Sequence, residues 1–164
     1  MMQRMRFSHD LEYDAAPEAV AAMLADPAFR EQVCDALHVL RHEVSVQGAG
    51  AGMTVVVDQT QPAGGVPSFA KKFVGDEIRI VQRERWRDTT KADLDIEIPG
   101  KPGTMKGGIT LVGDGTHTVQ TVAGDIRVKL PLVGGRMEEM VGDIFRAALR
   151  TEQRIGAAWL AGRG

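Results

Sequence analysis

The sequence predicts an α+β fold in which a seven-stranded antiparallel sheet is covered by one long C-terminal helix. Alternating apolar and polar residues, the pattern of half-buried strands, fill most of residues 40–130, where helical periodicity is absent. Apolar residues three, four and seven positions apart then run through residues 132–160, which is typical of an amphipathic helix. Because only a sheet is available to cover the apolar stripe of that helix, the two should pack together.

The first part of the chain predicts a strand followed by two short helices. Residues 6–13 alternate between apolar and polar side chains, which is typical of a strand with one buried and one solvent-exposed face. Pro17 and Glu18 favour a helix start, because proline is tolerated in the first turn and an acid there complements the helix dipole. Asp26 and Pro27 favour a second helix start, and helical spacing then continues to about residue 37.

Six more strands are predicted after these helices, at residues 40–46, 53–59, 77–87, 92–98, 104–112 and 116–130. Short turns join most of them, whereas the stretch 61–76 is a longer connection with room for one helical turn. The polar face of 77–87 is basic and that of 92–98 is acidic, which favours pairing of those two strands.

Length and composition exclude several classes of function. The 164 residues suit one domain spanning 1–164, and 20 Lys and Arg against 22 Asp and Glu leave no basic excess for nucleic-acid binding. The single cysteine, Cys34, has no second cysteine for an intramolecular disulfide and no neighbours for a zinc site, so we expect no metal and no cofactor. The sequence contains neither a membrane-spanning apolar run nor a signal peptide, which predicts a cytoplasmic protein and leaves its oligomeric state open.

The order of elements and four short segments are similar to a known superfamily. The segments are residues 6–13 with Pro17-Glu18, residues 26–31, residues 84–86 and residues 131–138. Together they resemble the helix-grip fold of the START-like (SRPBCC) superfamily, which includes the birch-pollen allergen, polyketide cyclases and lipid-transfer domains. Within it they look like an uncharacterised bacterial domain family with no assigned activity, so no catalytic residue is transferred. The resemblance implies a strongly curved sheet wrapped around the C-terminal helix.

A curved sheet around one helix leaves a cavity unless large side chains fill it, and this chain has few of them. It contains five Phe, two Trp and one Tyr, while Gly107, Gly108 and Gly124 remove side-chain volume from the predicted strands. We therefore expect a cavity that binds a hydrophobic or amphipathic small molecule. The alternative is that the eight methionines close the core without a void.

The expected lining of this cavity follows from alternation along the strands and from three- and four-residue spacing on the helix. It comprises Leu11, His42, Val44, Ile80, Gln82, Glu84, Leu94, Ile96, Ile109, Met137, Met140, Val141 and Ile144. Ile144 is also predicted to be buried against the sheet.

Three side chains are candidates for acid-base catalysis. His9 and His42 lie on the apolar faces of their strands, although the resemblance places those strands at opposite edges of the sheet, and the alternative for each is a structural histidine. Glu84 interrupts an apolar face together with Gln82, and a buried carboxylate needs either a partner or a raised pKa. Its alternative is a carboxylate that is solvated at the open end of the sheet or paired with an arginine.

Three functions follow from these observations. The sequence lacks a convergent catalytic set, which favours a binding protein that encloses a small apolar molecule. The second hypothesis is a cyclase- or hydratase-like enzyme that uses His9, His42 or Glu84 in the same cavity. The third is an accessory protein whose long helix or 61–76 connection contacts a partner.

Overall fold

The computed structural model describes residues 4–162 and contains seven strands and four helices within them. In chain order these are β1 (Met5–Tyr13), α1 (Pro17–Leu24), α2 (Pro27–Ala36), β2 (Arg41–Gln47), β3 (Thr54–Pro62), α3 (Ser68–Val74), β4 (Glu77–Trp86), β5 (Lys91–Glu97), β6 (Gly103–Gly113), β7 (Thr118–Val128) and α4 (Gly134–Leu160). This order confirms the predicted fold class and the helix-grip architecture. The helical turn expected in the 61–76 connection is the seven-residue helix α3.

All seven strands form one antiparallel sheet in the order β1-β7-β6-β5-β4-β3-β2, so β1 and β2 are its edges. The glycines of β6 and β7 bring those two strands unusually close, since Gly107 and Gly124 are paired directly. A Cβ atom on Gly107 would lie 1.9 Å from the carbonyl oxygen of Ala123, so no other residue fits there. Such positions allow a strand to bend, which lets the sheet curve around α4.

The two short helices follow β1 and pack beside the C-terminal half of α4. The Asp26 side chain accepts a hydrogen bond from the Ala28 N–H at 2.9 Å, which caps the first turn of α2. Phe29, on the buried side of α2, meets the ring of Trp159 with 5.7 Å between centroids. These contacts place the inner face of α2 against the interior of the sheet.

The 27 residues of α4 extend for about 40 Å and pack mainly on β1 and β7. Close approach is possible because small residues stand on the buried side of the helix: Gly142 lies against the Met5 side chain and Gly156 against the Tyr13 ring. Near the start of the helix, the buried Glu138 carboxylate accepts the Val128 N–H at 2.9 Å. The helix is therefore held on one half of the sheet.

The prediction that Ile144 is buried against the sheet is wrong, because 37% of this residue is exposed. The buried side of α4 is rotated relative to the stripe that the sequence suggested, since its close contacts are with β1 and β7. Leu149 is buried, whereas Val141 and Phe145 are only partly so. An aspartate at position 144 would thus stand near solvent, and its cost should be much smaller than a core position implies.

Alanine substitutions at the two helix glycines should have opposite effects on stability. Gly142→Ala places a Cβ near the flexible end of Met5, which can move, so the gain in helix propensity of up to about 1 kcal/mol should dominate. Gly156→Ala places its Cβ 2.8 Å from the Tyr13 ring, which is buried and rigid, and should cost about 1–3 kcal/mol. Urea denaturation of both variants measures the difference, and equal effects would contradict the packing described above.

Candidate functional site

A cavity of about 120 Å³ lies between α4, α2 and the inner faces of β3 to β6. Its walls are mostly apolar. They are formed by Val33, Cys34, Leu37, Val57, Ile80, Ile96, Ile98, Met105, Val141, Ile144, Phe145, Ala148 and Leu149. The volume is close to the roughly 150 Å³ of an engineered protein cavity that holds one benzene molecule. An apolar group of about one ring therefore fits the space as it stands.

Polar side chains converge at one end of this cavity around a buried ion pair. The Arg30 guanidinium donates from Nη1 and Nη2 to the two carboxylate oxygens of Glu84, at 2.7 and 2.8 Å. The side chains of Arg30 and Glu84 are 4% and 0% exposed, so the pair is removed from water. Nε of Arg30 donates to the Leu24 carbonyl at 2.8 Å, which leaves none of its three nitrogens unpaired. This geometry fixes α2 to the centre of the sheet.

Two further donors complete the surroundings of the Glu84 carboxylate. Gln82 Nε2 donates to it at 2.7 Å and Trp86 Nε1 at 3.0 Å. Burial alone would raise the pKa of Glu84, but the charge of Arg30 and the hydrogen bonds from Arg30, Gln82 and Trp86 outweigh burial and hold this pKa below its usual range. Glu84 is therefore an ionised structural carboxylate paired with an arginine, one of the alternatives that the sequence left open.

A second carboxylate, Glu152 of α4, lines the same end of the cavity. Its Oε2 accepts a long hydrogen bond of 3.3 Å from Gln120 Nε2. Burial raises the pKa of Glu152, the Arg30 charge opposes that rise and the Glu84 charge adds to it. Beneath these groups a chamber of about 10 Å³, the size of one water molecule, is also lined by Glu152 and Gln120.

Two titratable groups beside this polar end are held neutral by burial. Burial, and then the charge of Glu152, raise the pKa of Tyr13, and its hydroxyl has no hydrogen-bond partner among residues 4–162. Burial likewise raises the pKa of the Cys34 thiol to about 11, so the thiol is not an activated nucleophile. Cys34 serves as a small apolar residue in the wall.

Apart from His42, the predicted lining residues lie in three places. Five of them line the cavity: Ile80, Gln82, Ile96, Val141 and Ile144. Glu84, Leu94 and Ile109, with Gln82, line the small chamber beneath it. Leu11 is fully buried in the main core, Val44 packs on that core from the edge strand, and Met137 and Met140 pack in a separate cluster under α3. The last four side chains are absent from the lining of either space.

His9 and His42 lie outside the cavity and on opposite edge strands of the sheet. His9 Nδ1 contacts the Arg146 guanidinium at 3.2 Å, and burial together with that charge lowers the pKa of His9. His42 Nε2 contacts the Asp35 carboxylate at 3.3 Å and lines a surface groove along β2 and β3. The two histidines therefore do not meet each other or Glu84 at one site.

Sequence reasoning missed Arg30 and Glu152, which carry much of the polar chemistry of the site. A signal for each was present, because both interrupt an apolar helical face. Glu152 is four residues after Ala148 and seven after Phe145, and Arg30 is four residues before Cys34. Charged residues at such positions are either at the edge of the stripe or buried with a partner, and only the docking of the helices distinguishes the two.

Three similar solved structures share this fold at low sequence identity. A START superfamily protein from Mycobacterium smegmatis is 13% identical, with 92% of this chain and 97% of that chain covered and a TM-score of 0.60. The Zhui aromatase/cyclase from Streptomyces sp. R1128 is 12% identical, with coverages of 98% and 93% and a TM-score of 0.60. Truncated norcoclaurine synthase from Thalictrum flavum is 16% identical, with 94% of each chain covered and a TM-score of 0.60.

The chain thus has the helix-grip fold, which it shares with these three structures. More specifically, the chain belongs to the family described as protein of unknown function DUF2505, whose model matches residues 8–160. No curated protein matches the sequence. Within residues 4–162, no helix has the length and apolar character needed to cross a bilayer, and no three His, Cys, Asp or Glu side chains are grouped to hold a metal ion.

Neutralising Glu84 should destabilise the fold strongly. Glu84→Gln leaves the Arg30 guanidinium buried without a counter-charge and should lower the free energy of unfolding by about 3–5 kcal/mol. Adding Arg30→Met to the Glu84→Gln variant removes the buried charge and should recover part of the lost free energy of unfolding. Asp93→Asn breaks the exposed Arg87–Asp93 pair and should cost no more than about 1 kcal/mol, which makes it the matched control. Equal losses at Glu84 and Asp93 in urea denaturation would disprove this role.

Proposed function

We propose that this protein binds an apolar or amphipathic small molecule in the cavity between its sheet and α4. The observation that carries the proposal is the distribution of lining residues. Apolar side chains form most of the walls, and Arg30, Gln82 and Glu152 gather at one end. The other polar residues of the lining are Gln59 and Gln61 of β3. Ligand sites in proteins commonly combine apolar walls with a few convergent polar groups, which orient the ligand. The walls would supply affinity by burial at about 25 cal/mol per Å².

A single substitution that fills the cavity should abolish this binding. Ala148 lines the cavity from α4, so Ala148→Phe places a ring in the space that the ligand needs. Ala147 is its exposed neighbour on the same helix, and Ala147→Phe is the matched control. Isothermal titration with 2-phenylethanol and 1-octanol should give saturable binding by the unmodified chain with a Kd below about 1 mM, or about 4 kcal/mol.

The two variants should differ clearly in their affinity for these probes. We expect Ala148→Phe to weaken binding at least about tenfold, or about 1.4 kcal/mol, and Ala147→Phe to leave it unchanged. Absence of binding by the unmodified chain, or equal binding by all three proteins, would contradict the proposed cavity. Native mass spectrometry of freshly purified protein should also detect a retained small molecule that Ala148→Phe lacks.

A second candidate function is acid-base catalysis on a molecule held in the same cavity. Glu152 favours it, because burial raises the pKa of this carboxyl, which is the direction that a general acid requires. Two of the similar structures are named as an aromatase/cyclase and a synthase. A small-molecule extract can be incubated with the unmodified chain or with Glu152→Gln and then analysed by mass spectrometry. A compound that only the unmodified chain consumes would identify an enzyme. If the same compounds remain after both incubations, catalysis by Glu152 is rejected.

A further inference from the structure

The polar end of the cavity holds two carboxylates and one guanidinium. Arg30 is fully engaged, because its two terminal nitrogens bind Glu84 and its Nε binds a backbone carbonyl. Glu152 therefore has no cation of its own, and no Lys, Arg or His nitrogen elsewhere in residues 4–162 lies within 4.0 Å of its carboxylate. If Glu152 ionises, this end of the cavity carries one uncompensated negative charge.

An unpaired hydrogen-bond acceptor lies beside that charge. Gln120 is 1% exposed and its Oε1 has no partner in the part of the chain that the structure describes. Its Nε2 binds Oε2 of Glu152, and Oε1 of the partly exposed Glu152 accepts no hydrogen bond from a described residue. A buried amide oxygen without a donor costs free energy, and a ligand that supplies N–H or O–H groups recovers it.

We propose that the ligand of this cavity is an apolar amine whose ammonium group binds Glu152 and Gln120 while its ring or chain lies against the apolar walls. The inference rests on the proposed function and adds the chemical class of the ligand. A carboxylate ligand does not suit this end, since Arg30 is already paired and Glu152 repels a negative charge. A neutral alcohol makes hydrogen bonds but leaves the excess charge without a counter-ion.

The charged groups around Glu152 give amine binding a definite pH dependence. Arg30 of α2 faces it and favours ionisation, whereas Glu84 of β4 opposes ionisation, and the Tyr13 hydroxyl of β1 and the Gln120 amide of β7 are uncharged neighbours. Burial raises the pKa of Glu152 in the empty cavity, and a bound ammonium lowers that pKa again. Below the raised pKa the amine must displace a proton from Glu152, so its affinity should fall about tenfold per pH unit.

Isothermal titration with three matched probes tests the inference. We will compare 2-phenylethylamine, 2-phenylethanol and phenylacetate, which share a phenyl ring and differ in their polar group, at about pH 8.5 and at lower pH. At the higher pH the amine should bind at least about tenfold more tightly than the alcohol, and phenylacetate should bind most weakly. Lowering the pH should weaken the binding of the amine alone. At the lower pH, binding of the amine should release a proton, which titrations in two buffers that differ in ionisation enthalpy can measure.

Glu152→Gln keeps the size of the side chain and removes its charge, and Glu139→Gln does the same at an exposed position of α4. The amine should lose at least about tenfold in affinity for Glu152→Gln and nothing for Glu139→Gln, and the loss at Glu152→Gln should be larger for the amine than for the alcohol. Binding of the alcohol without an amine preference, or an amine preference that survives in Glu152→Gln, overturns this inference and leaves the proposed function intact. Failure of all three probes to bind the unmodified chain overturns both.

Discussion

The buried ion pair between Arg30 and Glu84 is the constraint on which the interior of this protein depends. Removing two charges from water costs several kcal/mol for each ion, and the fold recovers that cost only through complete pairing. Both carboxylate oxygens and all three guanidinium nitrogens are bonded, and Gln82 and Trp86 add two donors. Because the pair joins α2 to β4 near the end of that strand, it fixes the side wall of the cavity as well as its polar end.

This pairing also determines which groups remain available to a ligand. Glu84 drew attention in the sequence as an acid on an apolar face, yet its lowered pKa and its four donor bonds make it part of the scaffold. Glu152, which lies on the opposite wall, has the opposite character, because burial raises its pKa and it has no cation of its own among the described residues. Two carboxylates at one end of a cavity thus take different roles that are set by their neighbours.

The fold was predictable from the sequence because it depends on periodicity, which a single chain displays directly. Strand alternation and the apolar stripe of α4 gave the seven strands and the long helix, and alternation on β4 placed Gln82 and Glu84 on the inner face. The site was less predictable because it depends on how helices dock. Arg30 and Glu84 are separated by 54 positions, and no local pattern indicates that they meet.

The docking of α4 explains in the same way why Met137 and Met140 do not line the cavity. An amphipathic stripe is wide, and its residues divide among several neighbours: Met137 and Met140 pack under α3, Leu149 faces the core and Ile144 stands at the rim of the cavity. Spacing of three and four residues identifies the stripe, but it does not show which neighbour each residue of the stripe contacts. Which neighbour each residue contacts follows from the packing of α4 on β1 and β7, and that packing is set by residues far away in sequence.

The cavity itself follows from an asymmetry in how α4 meets the sheet. Gly142 and Gly156 let the helix settle closely on the β1 and β7 side, while the curved sheet carries β3, β4 and β5 away from it. The Arg30–Glu84 pair prevents α2 from moving in to close the gap, since any shift would break a buried ionic contact. The cavity of about 120 Å³ leaves its apolar walls without packing partners on one side, and an occupant of about one ring would supply them. A ligand that binds the folded chain here also stabilises it, because it supplies the packing contacts that the walls lack, and this supports the proposed position of the binding site.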